Sequence, residues 1–466
     1  MSKFTTGLVQ LVSSESEQIK QNPTITIHRK ANKNCTSSST LIETEKYSDI
    51  KFGNSIISSI KYGSDSVYSK YDILKRLYLR IKLPDLNENE RWITNIGYAI
   101  IKKITLKRPI SSDLDEDLFE EILSFTGEFM YIQDQFTLSD DMIRKKNKYM
   151  DIGKSKWGEK NKYINIPLDL FSGYNMDGNL KICMCGLTPL NLEIEYEDFY
   201  KLIEYDSDKL EYDIVKRKNI RDCEEGIYKM DIEYKWECII LSSIERKRLV
   251  MNSDLFTTIH NSEYDIKSVE ENIKSRRAFL YFMCYNWYNL HKVGKYLCED
   301  ILKLIYEYYI TPLDSIDNKI ETGSNGLCKE MFWTFSNKYN YPLMSKRESE
   351  PINTFKYNRV SDNKLTIMNG SGEMILHEGE DDFRRLIPYK CHTNIPDMPI
   401  YNYSFCQLPE NIDMISEGIN LGKLNGLGLK YNLLKSYKMG LRLKVYYILY
   451  NRLRYYEGLI AKEYST

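Results

Sequence analysis

Apolar and polar residues alternate at period two in segment after segment of this chain, the spacing of a β-strand with one buried face. In 77–83, Leu77, Leu79, Ile81 and Leu83 fall on one face, Tyr78, Arg80 and Lys82 fall on the other, and Pro84 stops the run. Nine residues repeat the pattern further on, with Met230, Ile232, Tyr234, Trp236 and Cys238 set against Asp231, Glu233, Lys235 and Glu237. Leu192–Tyr196 and Leu441–Tyr447 read alike, and strands are predicted at all four places. Helical spacing is scarcer. Asp113 to Phe125 puts Leu114, Leu118 and Ile122 at i, i+4 and i+8, with acidic residues crowding the turn where a helix dipole favours them, and predicts a helix. Tyr296 to Ile310 predicts another, which Pro312 ends. Many short strands without regular strand–helix alternation predict an all-β chain of sandwiches or jelly rolls, with short helices in its loops.

Composition then narrows the reading. At 466 residues the chain should hold two or three domains, each able to bury a core. Hydrophobic residues at 42% and charged residues at 28% exclude wholesale disorder. Lys plus Arg total 65 against 66 Asp plus Glu, so the positive excess needed to neutralise phosphates is missing and no specific nucleic-acid partner is expected. The 38 tyrosines suit strands whose outer faces stay wet at the hydroxyl. Met1–Ser14 lacks an apolar run of signal-peptide length, and the best apolar stretch, Ala278–Leu290, is broken by Asn286 and Asn289. We therefore expect a chain made in the cytosol with no transmembrane segment, and its ten thinly spread cysteines to be reduced, with no disulfide framework. The charged stretch Tyr205–Glu225 marks the expected boundary. The expected division is an N-terminal arm at 1–22, a first β domain at 23–204, a charged linker at 205–226 and a second β domain at 227–466. That second domain carries an insertion at about 274–322, within which Lys274–Tyr306, richer in aromatic and aliphatic residues, could form a small helical lobe or equally cap the end of a sheet.

Candidate chemistry is sparse. Cys183-x-Cys185 could offer two thiolates to zinc, but no second pair follows, and buried thiols are the better reading. The acidic run Asp113–Glu121 lacks the glycine and ligand spacing of a calcium loop. Cys391, His392 and Asp397 have the residue types of a nucleophile, base and orienter; on an extended strand the first two would point apart, so His392 is expected in an inter-domain or subunit contact. Gly323–Gly326 and Asn369–Gly372 carry no phosphate-binding pattern and predict turns. The tripeptides at Asn34, Asn369 and Asn402 match a glycosylation signal by chance, and Arg144–Lys148 is expected to be a solvated basic loop. No catalytic, cofactor-binding or metal-binding residue is expected, and no cofactor.

Several runs, in order through the chain, resemble the double jelly-roll major capsid proteins of nucleocytoplasmic large DNA viruses. They are Gly7-Leu-Val-Gln-Leu-Val12 with Asn22-Pro-Thr-Ile-Thr26, Asp72-Ile-Leu74 leading to Leu83-Pro84, Asn95–Lys102, Tyr163–Leu168 and Leu192–Tyr196. Glu245-Arg-Lys-Arg248, Pro388–Asp397, Tyr403-Ser-Phe405 with Pro409-Glu410, Val445-Tyr446 and Tyr450–Arg454 with Gly458 continue the series. Tyr71 stands where the family usually has Gly, His28 where it has Phe, and 274–322 has no counterpart. The resemblance implies two tandem eight-stranded jelly rolls and a non-enzymatic structural capsid protein. It implies homotrimeric, pseudo-hexameric capsomers tiling an icosahedral shell beside neighbouring capsomers or minor capsid proteins. Assembly would be in the host cytoplasm, and proximity to an internal viral membrane stays open. The alternatives are a minor capsomer or assembly-scaffold paralogue and, third, a carbohydrate-binding β-sandwich, for which the five tryptophans (92, 157, 236, 287, 333) are too scattered.

Overall fold

The computed structural model describes residues 39–60, 71–109, 119–150, 155–168, 180–185, 189–206, 228–244, 246–247, 255–268, 316–320, 326–337, 343–345, 355–369, 372–410, 418–423, 426–432, 441–456 and 459–462. Its first half contains β1 (Ser39–Lys51), β2 (Ser55–Ile60), β3 (Ile73–Lys82), β4 (Glu90–Trp92), β5 (Ile101–Pro109), β6 (Phe119–Phe125), β7 (Tyr163–Leu168), β8 (Leu190–Tyr196), β9 (Ile203–Asp206) and β10 (Lys229–Ile240). Eight of these make two four-stranded sheets, β1-β10-β3-β7 and β2-β8-β5-β6, every pair antiparallel. Counting only those eight, the orders are first-eighth-third-sixth and second-seventh-fourth-fifth, the connectivity of a jelly roll.

The second half repeats it. Its strands are β11 (Leu255–Ser268), β12 (Ile316–Ile320), β13 (Leu327–Asn337), β14 (Leu343–Ser345), β15 (Ser361–Asn369), β16 (Gly372–Glu378), β17 (Ile400–Ser404), β18 (Ile419–Asn420), β19 (Gly426–Asn432), β20 (Leu441–Tyr456) and β21 (Leu459–Lys462). The sheets β11-β20-β13-β17 and β12-β19-β15-β16 have the same two orders as the first roll, with β18 and β21 added on β13 and β20. Strands β15 and β16 pair as far as Asn369 and Gly372, which bracket the predicted turn.

The alternation read from sequence is the alternation of burial. Leu77, Leu79 and Ile81 of β3, Ile164 and Ile166 of β7, and Ile232, Tyr234 and Trp236 of β10 face Ile104, Leu106, Leu192 and Ile194 of the other sheet in one core. The hydroxyls of Tyr196 and Tyr234 lie 3.0 Å apart and bridge the two sheets, so these buried tyrosines keep a polar partner.

Two expectations are corrected. The run Met230–Cys238 closes the first roll: Trp236 is opposite Glu43 on one side and Leu77 on the other. The division between the rolls therefore falls between Ile240 and Leu255, not at 205–226, and the first roll extends well past residue 204. A jelly roll needs its eighth strand between its first and third, and pattern alone does not say which sheet a strand completes. Secondly, Phe119–Phe125 is a strand, not the end of a helix. Glu120 and Glu121 pair across to Arg108 and Lys103 of β5, so partner strands override a weak helical spacing. Residues 113–118, the helix expected at Tyr296–Ile310 and the insertion up to 315 lie outside the described residues, while β12 occupies the end of that stretch.

Between β6 and β7 lie two helices, Gly127–Thr137 and Asp140–Tyr149. Thr126 caps the first, its Oγ1 accepting from the Phe129 N–H at 3.1 Å. Gly127 is pressed against the single turn Ile96–Ala99, and a Cβ there would run into the carbonyl oxygens of Tyr98 and Ile101. Gly127→Ala should therefore cost about 1–3 kcal/mol by forced displacement of the helix, read as a lowered urea midpoint with an unchanged slope.

Candidate functional site: the seam between the two rolls

A strand buried on one face alternates; one buried on both does not. In β20, Leu443, Val445, Tyr447 and Leu449 enter the core of the second roll with Met331, Trp333 and Phe335 of β13. The opposite face of the same sheet presents Phe332, Ile400, Tyr446 and Ile448, and onto it pack Phe129, Ile132 and Phe136 of the helix Gly127–Thr137. These helix residues recur at i, i+3 and i+7, one stripe of an amphipathic helix. The first roll thus covers the outer face of the second with a helix from its own β6–β7 connection. Phe136 and Phe332 have ring centroids 5.0 Å apart, and Phe129 lies 5.5 Å from Tyr446. Around this apolar patch Lys444 pairs with Glu128, the Asn394 N–H donates to the Phe136 carbonyl at 2.9 Å, and Tyr131 stacks on Phe355 at 4.7 Å.

His392 stands at the edge of this patch, its side chain fully buried and its ring 5.0 Å from Phe136 of the first roll. Nδ1 is 3.1 Å from Glu410 Oε1, and Nε2 is 3.2 Å from Asn402 Oδ1 and 3.3 Å from Glu330 Oε2. Burial by itself would lower the imidazole, but the hydrogen bonds and charges of Glu330 and Glu410 outweigh it and raise the pKa to about 9. Glu410 is opposed by burial as well, and bonds from His392 and Thr393 hold it below the ordinary carboxylate range. The Thr393 N–H donates to Glu410 at 2.8 Å. The imidazolium is thus a fixed positive charge tying β13, β17 and the 405–410 segment together beside the other roll.

A second buried charge anchors the exit from the first roll. The Asp72 carboxylate, wholly buried, accepts from Arg246 Nε at 2.6 Å and Nη2 at 2.9 Å, and from the Leu241 N–H at 2.7 Å. Two runs 174 residues apart in sequence, both marked in the sequence for their likeness to capsid proteins, meet in one bidentate pair. A third tie is made by backbone: β14 of the second roll adds parallel to β9, which pairs with β4. Beside it Arg91 and Glu204 form a buried ion pair at 2.8 Å, with Arg91 4.4 Å over the Trp157 ring.

The sequence-flagged chemistry resolves as follows. His392 lies at an inter-domain contact, as expected, but Cys391 ends a helix, Ile387–Cys391, rather than lying on a strand. His392 is taken up by two carboxylates and an amide, and Asp397 is exposed, so the three do not assemble. Cys183 lies within a buried turn of 3-10 helix that Cys185 ends, and burial pushes the Cys183 thiol up to about 12 and raises Cys185 as well, so neither is a ready thiolate. Arg144–Lys148 belongs to a helix, not a loop, with Lys146 paired to Asp134 at 2.5 Å. Trp92, Trp236 and Trp333 are fully buried core residues and Trp157 holds Arg91, so none of these four offers a stacking platform for a sugar. The sequence reading passed over the helix Gly127–Thr137; its Thr126 cap, Glu128 in the first turn and the spacing of Phe129, Ile132 and Phe136 are the signals that would have found it. No described helix is long and apolar enough to cross a membrane.

Two rolls of one connectivity, clamped by an apolar seam and buried ion pairs, define a double jelly-roll protein. Residues 26–218 match the family described as major capsid protein N-terminus. That match covers less than half of the chain; with the strand order of both rolls it gives a likeness to the double jelly-roll major capsid proteins, as the sequence runs suggested. The fold is similar to that of the PBCV-1 capsid protein VP54, at a TM-score of 0.64 and 14% identity, over 92% of this chain and 98% of that one. It is also similar to the Faustovirus major capsid protein, at 0.56 and 8% identity over 90% and 91%. The Sputnik virophage structure gives 0.51 at 7% identity, over 91% and 88%. Among curated proteins, no sequence matches.

Proposed function

We propose that this chain is a capsid building block without catalytic activity, which associates as a homotrimer of pseudo-hexagonal outline and tiles an icosahedral shell with neighbouring capsomers or minor capsid proteins. Its place is the virion, after assembly in host cytoplasm. The observation that carries the reading is the exact repetition of strand order in two rolls, since three chains of two like rolls present six like units around one axis. Closed sandwiches hide most strand edges, leaving faces and loops to choose partners. A ring of such chains needs heterologous contacts that close, and obligate contacts of this sort commonly bury over about 2,000 Å². Light scattering of the purified chain should give a mass near three times 55.1 kDa. A mass of 55.1 kDa at every concentration would reject the trimer. Counting copies per virion separates a bulk subunit from a minor or scaffolding one, because a shell component must be abundant.

A further inference from the structure

The cysteines among the described residues are all unbridged thiols, and two of them stand apart from the rest. Cys183 and Cys185 sit within one short turn and are both buried, while Cys238 and Cys328 are buried in the cores of the first and second rolls. None of these four offers a sulfur to a molecule in solution. Cys391 and Cys406 come from separate elements, the end of the helix Ile387–Cys391 and the turn that follows β17, and Cys391 is partly exposed. Cys406 is buried beneath it, at 4% exposure.

The fold holds these two segments side by side. The helix packs on β17, and Cys391, Tyr403 and Phe405 pack against one core. His392, the residue after Cys391, meets Asn402 through Nε2 at 3.2 Å and Glu410 through Nδ1 at 3.1 Å, so the chain here is tied down on both sides of Cys406. The Ser404 hydroxyl stands between the two thiols. It donates to the Cys406 carbonyl at 2.7 Å, accepts from the Cys406 N–H at 3.3 Å and lies 3.5 Å from Cys406 Sγ. The Cys391 thiol is hydrogen-bonded to the same hydroxyl. Two sulfurs on one oxygen are separated by no more than two hydrogen bonds, and a step between side-chain rotamers is the motion that brings them together.

We propose that Cys391 and Cys406 are an oxidisable pair, joined in a disulfide when the folded chain meets a small-molecule disulfide such as glutathione disulfide. The Cys391 thiolate attacks one sulfur of the oxidant, forming a mixed disulfide and releasing one glutathione thiolate. The Cys406 thiolate then attacks the Cys391 sulfur and releases the second. One S–S bond breaks in the oxidant and one forms in the protein. The two cysteine protons end on the two glutathiones, and the chain loses the two electrons that the oxidant gains. Burial, Cys406 and Glu330 hold the Cys391 thiol above its ordinary range, against the opposing pull of Lys390 and the Ser404 hydroxyl, so the exchange is slow at neutral pH. The bridge fastens the helix that leads into His392 to the segment that leads into Glu410, and so locks the charged clamp beside the seam. It goes beyond the capsid reading and does not depend on it; in a shell subunit the lock would set after the chain leaves the reducing cytosol.

The test incubates the full, reduced chain with glutathione disulfide under native conditions, caps the remaining thiols with iodoacetamide in denaturant and maps the peptides by mass spectrometry. Cys391 should be found joined to Cys406, and dithiothreitol should return both to the capped form. Because the bridge closes a loop of about 15 residues, the thermal midpoint of the oxidised chain should rise by about 3–8 °C over the reduced one. Cys391→Ser alters only a partly exposed group, and its midpoint should not respond to the oxidant. Cys406→Ala should stop at the intermediate, with one glutathione held on Cys391 until dithiothreitol releases it. Both thiols still capped in the wild type, a bridge from Cys406 to Cys328, or a wild-type Cys391 that keeps its glutathione would each overturn the pairing. A correctly mapped bridge with an unmoved midpoint, or an equal rise in Cys391→Ser, overturns the lock. Every one of these results is independent of the native mass, so a failure here is distinct from a failure of the trimer.

Discussion

Asp72→Ala should cost the first roll about 1–3 kcal/mol, because it removes a buried carboxylate that accepts from the Leu241 N–H and from the partly exposed Arg246 guanidinium. Asp72 makes three charge-assisted or backbone hydrogen bonds of 2.6 to 2.9 Å while wholly buried. Its own backbone is fixed as well, the N–H donating to Ile239 and the carbonyl accepting from Cys183. The loss would fall on the chain leaving β10, since Arg246 and Leu241 are what the carboxylate holds. Urea unfolding of the wild type, Asp72→Ala, Arg246→Ala and the double variant gives the coupling. The double variant should be much less than additive, and additive losses would show that the pair does not act as one unit.

The second large effect is a pH dependence in the alkaline range. His392 has a folded pKa of about 9, against roughly 6.5 for an unperturbed histidine. A group whose folded pKa is raised contributes its full stabilisation below the unfolded value and loses it as pH climbs through the folded one. The chain should therefore be most favoured by this site below about pH 6.5 and lose on the order of 3 kcal/mol of its contribution by pH 9 and above. The groups facing the ring are Glu330 from β13, Glu410 from the 405–410 segment, Asn402 from β17 and the apolar Phe136 and Phe332. Once the ring is neutral, Glu330 is left buried beside an aromatic patch with its counter-charge gone. Unfolding midpoints across pH 6 to 10 should fall in the wild type and stay flatter in His392→Gln over the same window. Hydrogen exchange in the helix Gly127–Thr137 should quicken with the same midpoint, because Phe136 packs on that ring. Equal slopes in both proteins would remove His392 as the cause.

The contrast between these sites and the sheets shows where sequence reasoning stops. The strand at Leu77–Leu83 was legible because one face is buried and the other wet, and the same holds for Met230–Cys238, down to which residues face inward. What the second run completes was not legible: its alternation suits the edge of a new roll as well as the centre of the old one, and only its pairing with β1 and β3 decides. Leu441–Tyr447 was read as half-buried, yet Tyr446 and Ile448 are covered by a helix from the other roll, a contact between residues more than 300 positions apart that leaves no periodic mark. Glu120 and Glu121 looked like part of a helix until strand β5 supplied Arg108 and Lys103 opposite them. Asp72, Arg246, His392 and Glu410 stood in recognisable runs, but as isolated polar residues none announced a partner, because such pairs are chosen by which loops the fold brings together.

By itself, the order of residues determined the all-β character, the inward faces of most strands and, through its ordered runs, the resemblance to double jelly-roll capsid proteins. Those features follow from local period and composition, which a strand expresses wherever it lies. The tertiary structure alone decided where one roll ends, which face of the second roll is dry, and which buried charges neutralise each other. Each of these depends on distant segments excluding water from one another, and no local pattern encodes which distant segment that will be.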